Sequence, residues 1–180
     1  MLKKTISIFI IFIFLFANLF SCSNSRLALL DYITSRDDKS YRDMIDKIFT
    51  ALDNDDKKAL KDLFAVNVIK SNPNIDSQID ALFEFYTGPK ESDEGLHLGS
   101  SGSNNHGVKK ISLFNGNGFI VTAAGVKYHV SMYMDSRNDE NRDEEGIQLL
   151  ELALEDAKDY NGFIKWHNPK KDGPGIYTQP

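Results

Sequence analysis

The amino-acid sequence predicts an α+β domain: three N-terminal helices packed on a curved antiparallel sheet, cone-like in outline, and preceded by a signal peptide and a tether. Three observations carry that prediction. Apolar residues recur at three- and four-residue spacing from Tyr41 to Tyr86, the period then becomes alternating, and a lysine-led apolar leader ends beside the only cysteine of the 180-residue chain. The first spacing places side chains on one face of a helix and the second on one face of a strand. Helices first and strands afterwards describe segregated layers, not a wound βαβ sheet.

The elements follow in order. Tyr41, Met44, Ile45, Ile48, Phe49 and Leu52 line one helical face. Asp53-Asn54-Asp55-Asp56 then ends that helix and starts the next, because short acceptor side chains bond free N–H groups and carboxylates suit a helix N-terminus. Ala59, Leu60, Leu63 and Phe64 form the second buried stripe. A third helix begins near Asn72-Pro73, runs through Ile75, Ile79, Leu82, Phe83 and Tyr86, and stops at Gly88-Pro89. The Gly, Ser, Asn and Asp composition of residues 90–107 predicts a long exposed loop with one short strand at Leu96 to Leu98. Val108 to Phe114 and Phe119 to Ala123 read as two strands joined by a tight turn at Asn115-Gly116-Asn117-Gly118. After a turn at Ala124-Gly125, Val126, Tyr128, Val130, Met132 and Met134 point one way, while Lys127, His129, Ser131 and Tyr133 point the other. Ile147 to Glu155 is the fourth strand. A bulge between Leu149 and Leu150 keeps Leu150, Leu152 and Leu154 on the core face. Phe163 to His167 is a candidate fifth strand.

Lys3 and Lys4 followed by the apolar stretch Ile6 to Phe20 have the layout of a signal peptide, too short to span a bilayer comfortably, which takes roughly 20 apolar residues. Leu19-Phe20-Ser21-Cys22 resembles the lipobox of bacterial lipoproteins, with Phe20 larger than the residue usual at its position. The resemblance implies cleavage before Cys22 and a lipid on its thiol, so Cys22 is the expected lipid-attachment residue. The expected organisation is a signal peptide over 1–21, a lipidated tether over 22–39 and a single domain over 40–180. The expected location is the outer, extracytoplasmic face of a cell membrane. More than one acyl chain makes such an anchor stable, at about 0.8 kcal/mol per buried methylene. Cleavage leaves 19 Lys and Arg against 26 Asp and Glu, a net charge of −7. That balance disfavours nucleic acid and anionic lipid surfaces, which require clustered cations. No disulfide within the chain is available.

Two helical stretches carry a wider resemblance, Ile48-Phe49-Thr50-Ala51-Leu52-Asp53-Asn54-Asp55-Asp56 and Ile79-Asp80-Ala81-Leu82-Phe83-Glu84-Phe85-Tyr86. To these are added Tyr128 to Met134, Asn141-Arg142-Asp143-Glu144-Glu145-Gly146-Ile147 and the tail Gly173 to Tyr177. In element order the chain resembles the cone-shaped superfamily of nuclear transport factor two. More closely, it is similar to an uncharacterised family of bacterial lipoproteins carrying a domain of unknown function. The superfamily includes enzymes and pure binding modules, so the fold does not choose between them.

The residues themselves name no cofactor, metal or reaction. Asp139, Asn141 and Asp143 have the spacing that opens a calcium loop, but Glu144 and Leu150 stand where that loop needs glycine and glutamate. His97, His106, His129 and His167 match no zinc spacing. If the helices splay from the sheet, Tyr41, Phe49, Phe83, Tyr86, Tyr128 and Met132 line an apolar ligand pocket; otherwise they are core. The expected function is a non-catalytic, lipid-anchored binding module for a small apolar ligand or an envelope protein. One alternative is an isomerase- or hydratase-like enzyme using His129 with a nearby tyrosine or carboxylate. Another is a dimerising envelope protein using an apolar patch around Tyr133.

Overall fold

The computed structural model describes residues 39–105, 108–157, 164 and 166–180, with side chains at 98 and 100–115 left out. The signal peptide, the tether, Cys22, His106 and Phe163 lie outside the described residues. Helix α1 covers residues 39–53 and buries Tyr41, Ile45, Ile48, Phe49 and Leu52, the face that the spacing marks. It ends in a Schellman motif: Asp56 N donates to Ala51 O, Asp55 N donates to Leu52 O, and Asp55 takes the left-handed conformation at φ 53°. The Asp56 carboxylate then accepts from Ala59 N at 2.8 Å and caps α2, Lys57–Lys61. One four-residue polar stretch thus closes one helix and opens the next.

Two further helices follow where one is expected. Helix α3, Val66–Ser71, buries only Val68 and has no side-chain cap, which is why it leaves no pattern in the sequence. Helix α4, Ile75–Phe85, buries Ile75, Ile79 and Leu82. Beyond it, the Tyr128 hydroxyl accepts from Thr87 N at 2.9 Å and donates to Phe85 O at 3.1 Å, tying the chain to the sheet as it leaves the helix.

The sheet has five strands in the order β1-β2-β3-β4-β5: Lys90–Asn105, Val108–Thr122, Lys127–Asn138, Gly146–Leu154 and Gly175–Gln179. The first four are antiparallel and β5 runs parallel to β4. Three expectations are corrected. The stretch from Lys90 is a 16-residue strand, not a loop, because β2 supplies a hydrogen-bonding partner along its length, with three register shifts. Residues 115–118 are not a turn: β2 passes straight through them. The final strand is Gly175–Gln179, and Ile164, Trp166 and His167 belong to no strand.

The glycines of β2 are explained by packing. A Cβ on Gly116 would lie 2.4 Å from Tyr41 Cζ, and one on Gly118 would lie 2.5 Å from Leu96 Cδ2. The Tyr41 ring therefore lies directly on the strand, so α1 approaches β2 only because residue 116 has no side chain. The β4 bulge, expected between Leu149 and Leu150, falls instead at Gln148, between Ile147 and Leu149, and places Ile147 on the same face as Leu150 and Leu152. Phe64 bridges Ile147, with Ile147 N donating to Leu63 O at 2.9 Å and Ala65 N donating to Ile147 O at 3.0 Å. The helices and the inward face of the sheet share one apolar core.

Gly116→Ala is expected to destabilise the fold by about 1–3 kcal/mol, the usual cost of forcing atoms into a filled core. Urea unfolding should show that loss, and the same substitution in a Tyr41→Leu background should cost clearly less, because the two positions share one contact.

Candidate functional site

The six aromatic and apolar residues proposed for a pocket occupy the packed interface of helices and sheet. Tyr41, Phe49, Tyr128 and Met132 are at most 2% exposed, and Phe83 and Tyr86 are half-buried against them. Phe49 and Tyr86 rings lie 5.5 Å apart, and Tyr86 and Tyr128 rings 5.7 Å apart. The Tyr86 hydroxyl donates to Asp53 Oδ1 at 2.8 Å, and the same carboxylate accepts from Lys90 N at 3.2 Å. Burial first, then the Asp53 carboxylate, push the Tyr86 phenol well above its usual range; burial alone does the same to Tyr41, against a smaller opposing effect of Arg42. Both phenols therefore stay protonated at neutral pH.

A cleft of about 350 Å³ opens between α1 and α2, lined by Asp46, Lys47, Thr50, Asn54 and Asp56 at its rim and by Ala51, Ala59 and Leu63 below. Its volume is at the lower end of the range that small-molecule sites occupy, about 300–1,000 Å³. Asp46 is held by Lys90 Nζ at 2.6 Å and Asp56 by its capping bond, so both carboxylates are fixed in place by the fold.

The outer face of the sheet carries the second polar constellation. Asn117, Ser131, Glu151 and Tyr177 stand in register across β2, β3, β4 and β5. Glu151 has no exposed surface, and its carboxylate is nonetheless saturated. Its Oε2 accepts from His167 N at 2.9 Å, and its Oε1 lies 2.7 Å from His167 Nδ1 and accepts from Gln179 Nε2. The His167 ring stacks flat on Tyr177, 3.9 Å between centroids and 9° between planes. A buried carboxylate without such partners costs several kcal/mol. Burial, followed by Asp172 and Glu151, pushes the Tyr177 phenol upward.

His129, proposed from sequence as an acid–base residue, does stand on this face. Its nearest ring neighbours are Phe119, 3.9 Å away between centroids, and Trp166 at 6.1 Å. The polar pair that the fold assembles is instead Glu151 with His167, sixteen positions apart and joined only by tertiary structure. One signal for it exists in the sequence: Glu151 interrupts the apolar run Leu149 to Leu154, where a charge must find partners. Tyr133 is half-buried, and Val66, at 43%, is the exposed large hydrophobic side chain among the described residues.

The loop after β3 is ordered by amides. Asn138 Nδ2 donates to Glu144 Oε2 at 2.7 Å, Asn141 Nδ2 donates to Glu144 Oε1 at 3.0 Å, and Asn138 Oδ1 accepts from Asn141 N at 3.0 Å. Both Glu144 oxygens are thereby engaged. Among the described residues no group of three His, Cys, Asp or Glu side chains is arranged to hold a metal.

Fold and sites together define an α+β domain with a packed interface between helices and sheet, a surface cleft between α1 and α2 and a carboxylate–imidazole pair on the outer sheet face. The chain belongs to the family described as a domain of unknown function, DUF5104, whose pattern matches residues 47–159. No curated protein matches the chain.

Asp135 provides a test of the electrostatics beside this loop. It is 7% exposed, its Oδ1 has no partner, and burial holds its carboxyl above the usual range; Glu144 adds to that, while Asn138 and Lys170 oppose it. The folded protein thus keeps this proton to higher pH than the unfolded chain, so wild-type stability falls as pH rises through that window, and the ionised group is a cost at pH 7. Asp135→Asn is expected to raise the melting temperature at pH 7 by a few degrees. The gain should close as pH falls toward about 4, the ordinary carboxylate value.

Proposed function

We propose that this chain is a lipid-anchored extracytoplasmic protein whose cone-like domain, of the nuclear transport factor two kind, binds a small ligand at its surface. The observation that carries this reading is the cleft between α1 and α2, a described concave region with an apolar floor, whereas four of the six residues expected to line a cone pocket are at most 2% exposed and packed together. The apolar floor of the cleft, and a rim where Lys47 stands beside Asp46 and Asp56 and Asp46 is already paired with Lys90, favour a largely neutral molecule with an apolar body. The anchor rests on the leader and on Cys22. Among the described residues no helix is long and apolar enough to cross a membrane.

A second reading, acid–base catalysis, has one observation in its favour. The Glu151–His167 pair has the orientation that a general base needs, and His167 replaces His129 as the residue to consider.

Intact-mass analysis of the full chain purified from membranes, beside Cys22→Ala, tests the anchor. A lipid-sized mass on Cys22 that vanishes in the variant is expected; an unmodified chain recovered in the medium would sink it. For the cleft, Ala59→Leu fills the floor at a half-buried position packed against the core, so its fold is checked first by circular dichroism. A small molecule that co-purifies with the wild-type chain should bind the variant at least tenfold more weakly, and equal retention would place the ligand elsewhere.

A further inference from the structure

The cleft between α1 and α2 has a polarity of its own. Thr50, Ala51 and Asn54 follow Lys47 at three, four and seven positions, so the four residues form a single stripe of α1 along the cleft wall. One end of the stripe donates. Lys47 is exposed, no carboxylate among the described residues pairs with it, and Thr50 adds a hydroxyl one turn on. Asp46 does not compete for it, because Lys90 Nζ holds that carboxylate at 2.6 Å and adjacent positions on a helix do not face each other. The other end accepts. Asn54 Nδ2 donates to Thr50 O at 2.8 Å, which leaves Oδ1 to accept, and Asp56 accepts from Ala59 N through Oδ1 at 2.8 Å, which leaves Oδ2. Between the two ends lies the apolar floor of Ala51, Ala59 and Leu63.

With Asp46 neutralised by Lys90, the rim carries one cation and one carboxylate. An uncharged ligand would leave both in water, whereas a ligand with a carboxylate and an ammonium meets each with its opposite. Distance sets the size of that ligand. Seven residues of helix, at a rise of 1.5 Å each, put Lys47 and Asn54 about 10 Å apart along the axis. A single amino acid carries both charges on one carbon and is too short to bridge them. An extended peptide spans roughly 3.3–3.6 Å per residue, so the ends of a dipeptide or tripeptide lie about 7–10 Å apart, and the flexible stem of Lys47 takes up the difference. A volume of about 350 Å³, low in the small-molecule range, keeps the ligand at that size.

We propose that the cleft takes a short apolar peptide of two or three residues with both termini free, its carboxylate on Lys47 and Thr50, its ammonium on Asn54 and Asp56, and its side chains on the alanine floor. This rests on the cleft being the ligand site and names what that site takes. Both charged contacts are open to solvent, so each contributes only about a few-fold in affinity.

The test is isotope-labelled NMR of the full chain in detergent, titrated with alanyl-leucine, its N-acetylated and C-amidated forms, and free leucine. Alanyl-leucine should shift the amide resonances of Thr50, Ala51 and Asn54 and bind several-fold more tightly than leucine. Each capped form should bind about threefold more weakly than the free dipeptide. Lys47→Gln should abolish the difference between the free and amidated forms while keeping that between the free and acetylated forms. Asp56→Asn, which retains an acceptor for the helix cap, should do the reverse. Ala59→Leu should weaken every form. If capped and free dipeptides bind equally well and Ala59→Leu still weakens both, the peptide assignment is overturned and the cleft remains a site for another neutral molecule. Absence of shifts at the cleft, or variants that leave the preference for free termini unchanged, overturns the proposal as well; the cleft itself then stands or falls with the co-purifying molecule.

Discussion

Five consecutive side chains of β4, Leu149 to Ala153, have no exposed surface, so this strand has to be covered on both faces, and the rest of the domain is arranged to do it. Leu150 and Leu152 face the helices, where Ile45, Ile48, Leu60 and Leu82 meet them in one core. Each fully buried aliphatic side chain of this kind contributes about 1.5–3 kcal/mol, which makes the contact the main source of stability for that layer. Leu149, Glu151 and Ala153 face the other way. On that side His167 covers Glu151, while β5 pairs with the edge of β4 in parallel.

Covering the second face creates a cost that the same segment meets. Glu151 is a carboxylate in a dry sheet, and all of its bonds come from the C-terminal segment, two from His167 and one from Gln179. Replacing it with leucine would suit the neighbouring Leu149 and Ala153 in polarity. The retained charge holds an imidazole in one orientation, which an apolar residue cannot do. Structure and surface chemistry on this face therefore depend on one carboxylate–imidazole contact. On the opposite side the Tyr41 ring is pressed on Gly116, and the cleft between α1 and α2 opens at the surface.

The parts legible in advance are those set by local chemistry. The buried faces of α1 and α4, the double cap at Asn54 to Asp56 and the inward row from Tyr128 to Met134 all follow from residue spacing and from which side chains bond their own backbone. The glycine-rich stretches were illegible for the opposite reason. Residues 99–105, Gly-Ser-Ser-Gly-Ser-Asn-Asn, have weak strand preference and form β1 because β2 pairs with them. The repeated Asn-Gly of 115–118 has the composition of a turn, but its glycines answer to Tyr41 and Leu96 from other elements.

By itself, then, the sequence determined the order of helices before strands, the faces of its amphipathic elements and the caps between them, because each depends on neighbours within about a turn or a strand pair. It also marked the leader and Cys22 as the expected anchor. Only the tertiary structure decided the pairing of β1, the parallel placement of β5, the closure of the interior and the union of Glu151 with His167. These depend on which distant surfaces meet, and a period of two or 3.6 residues says which face is buried without saying what buries it.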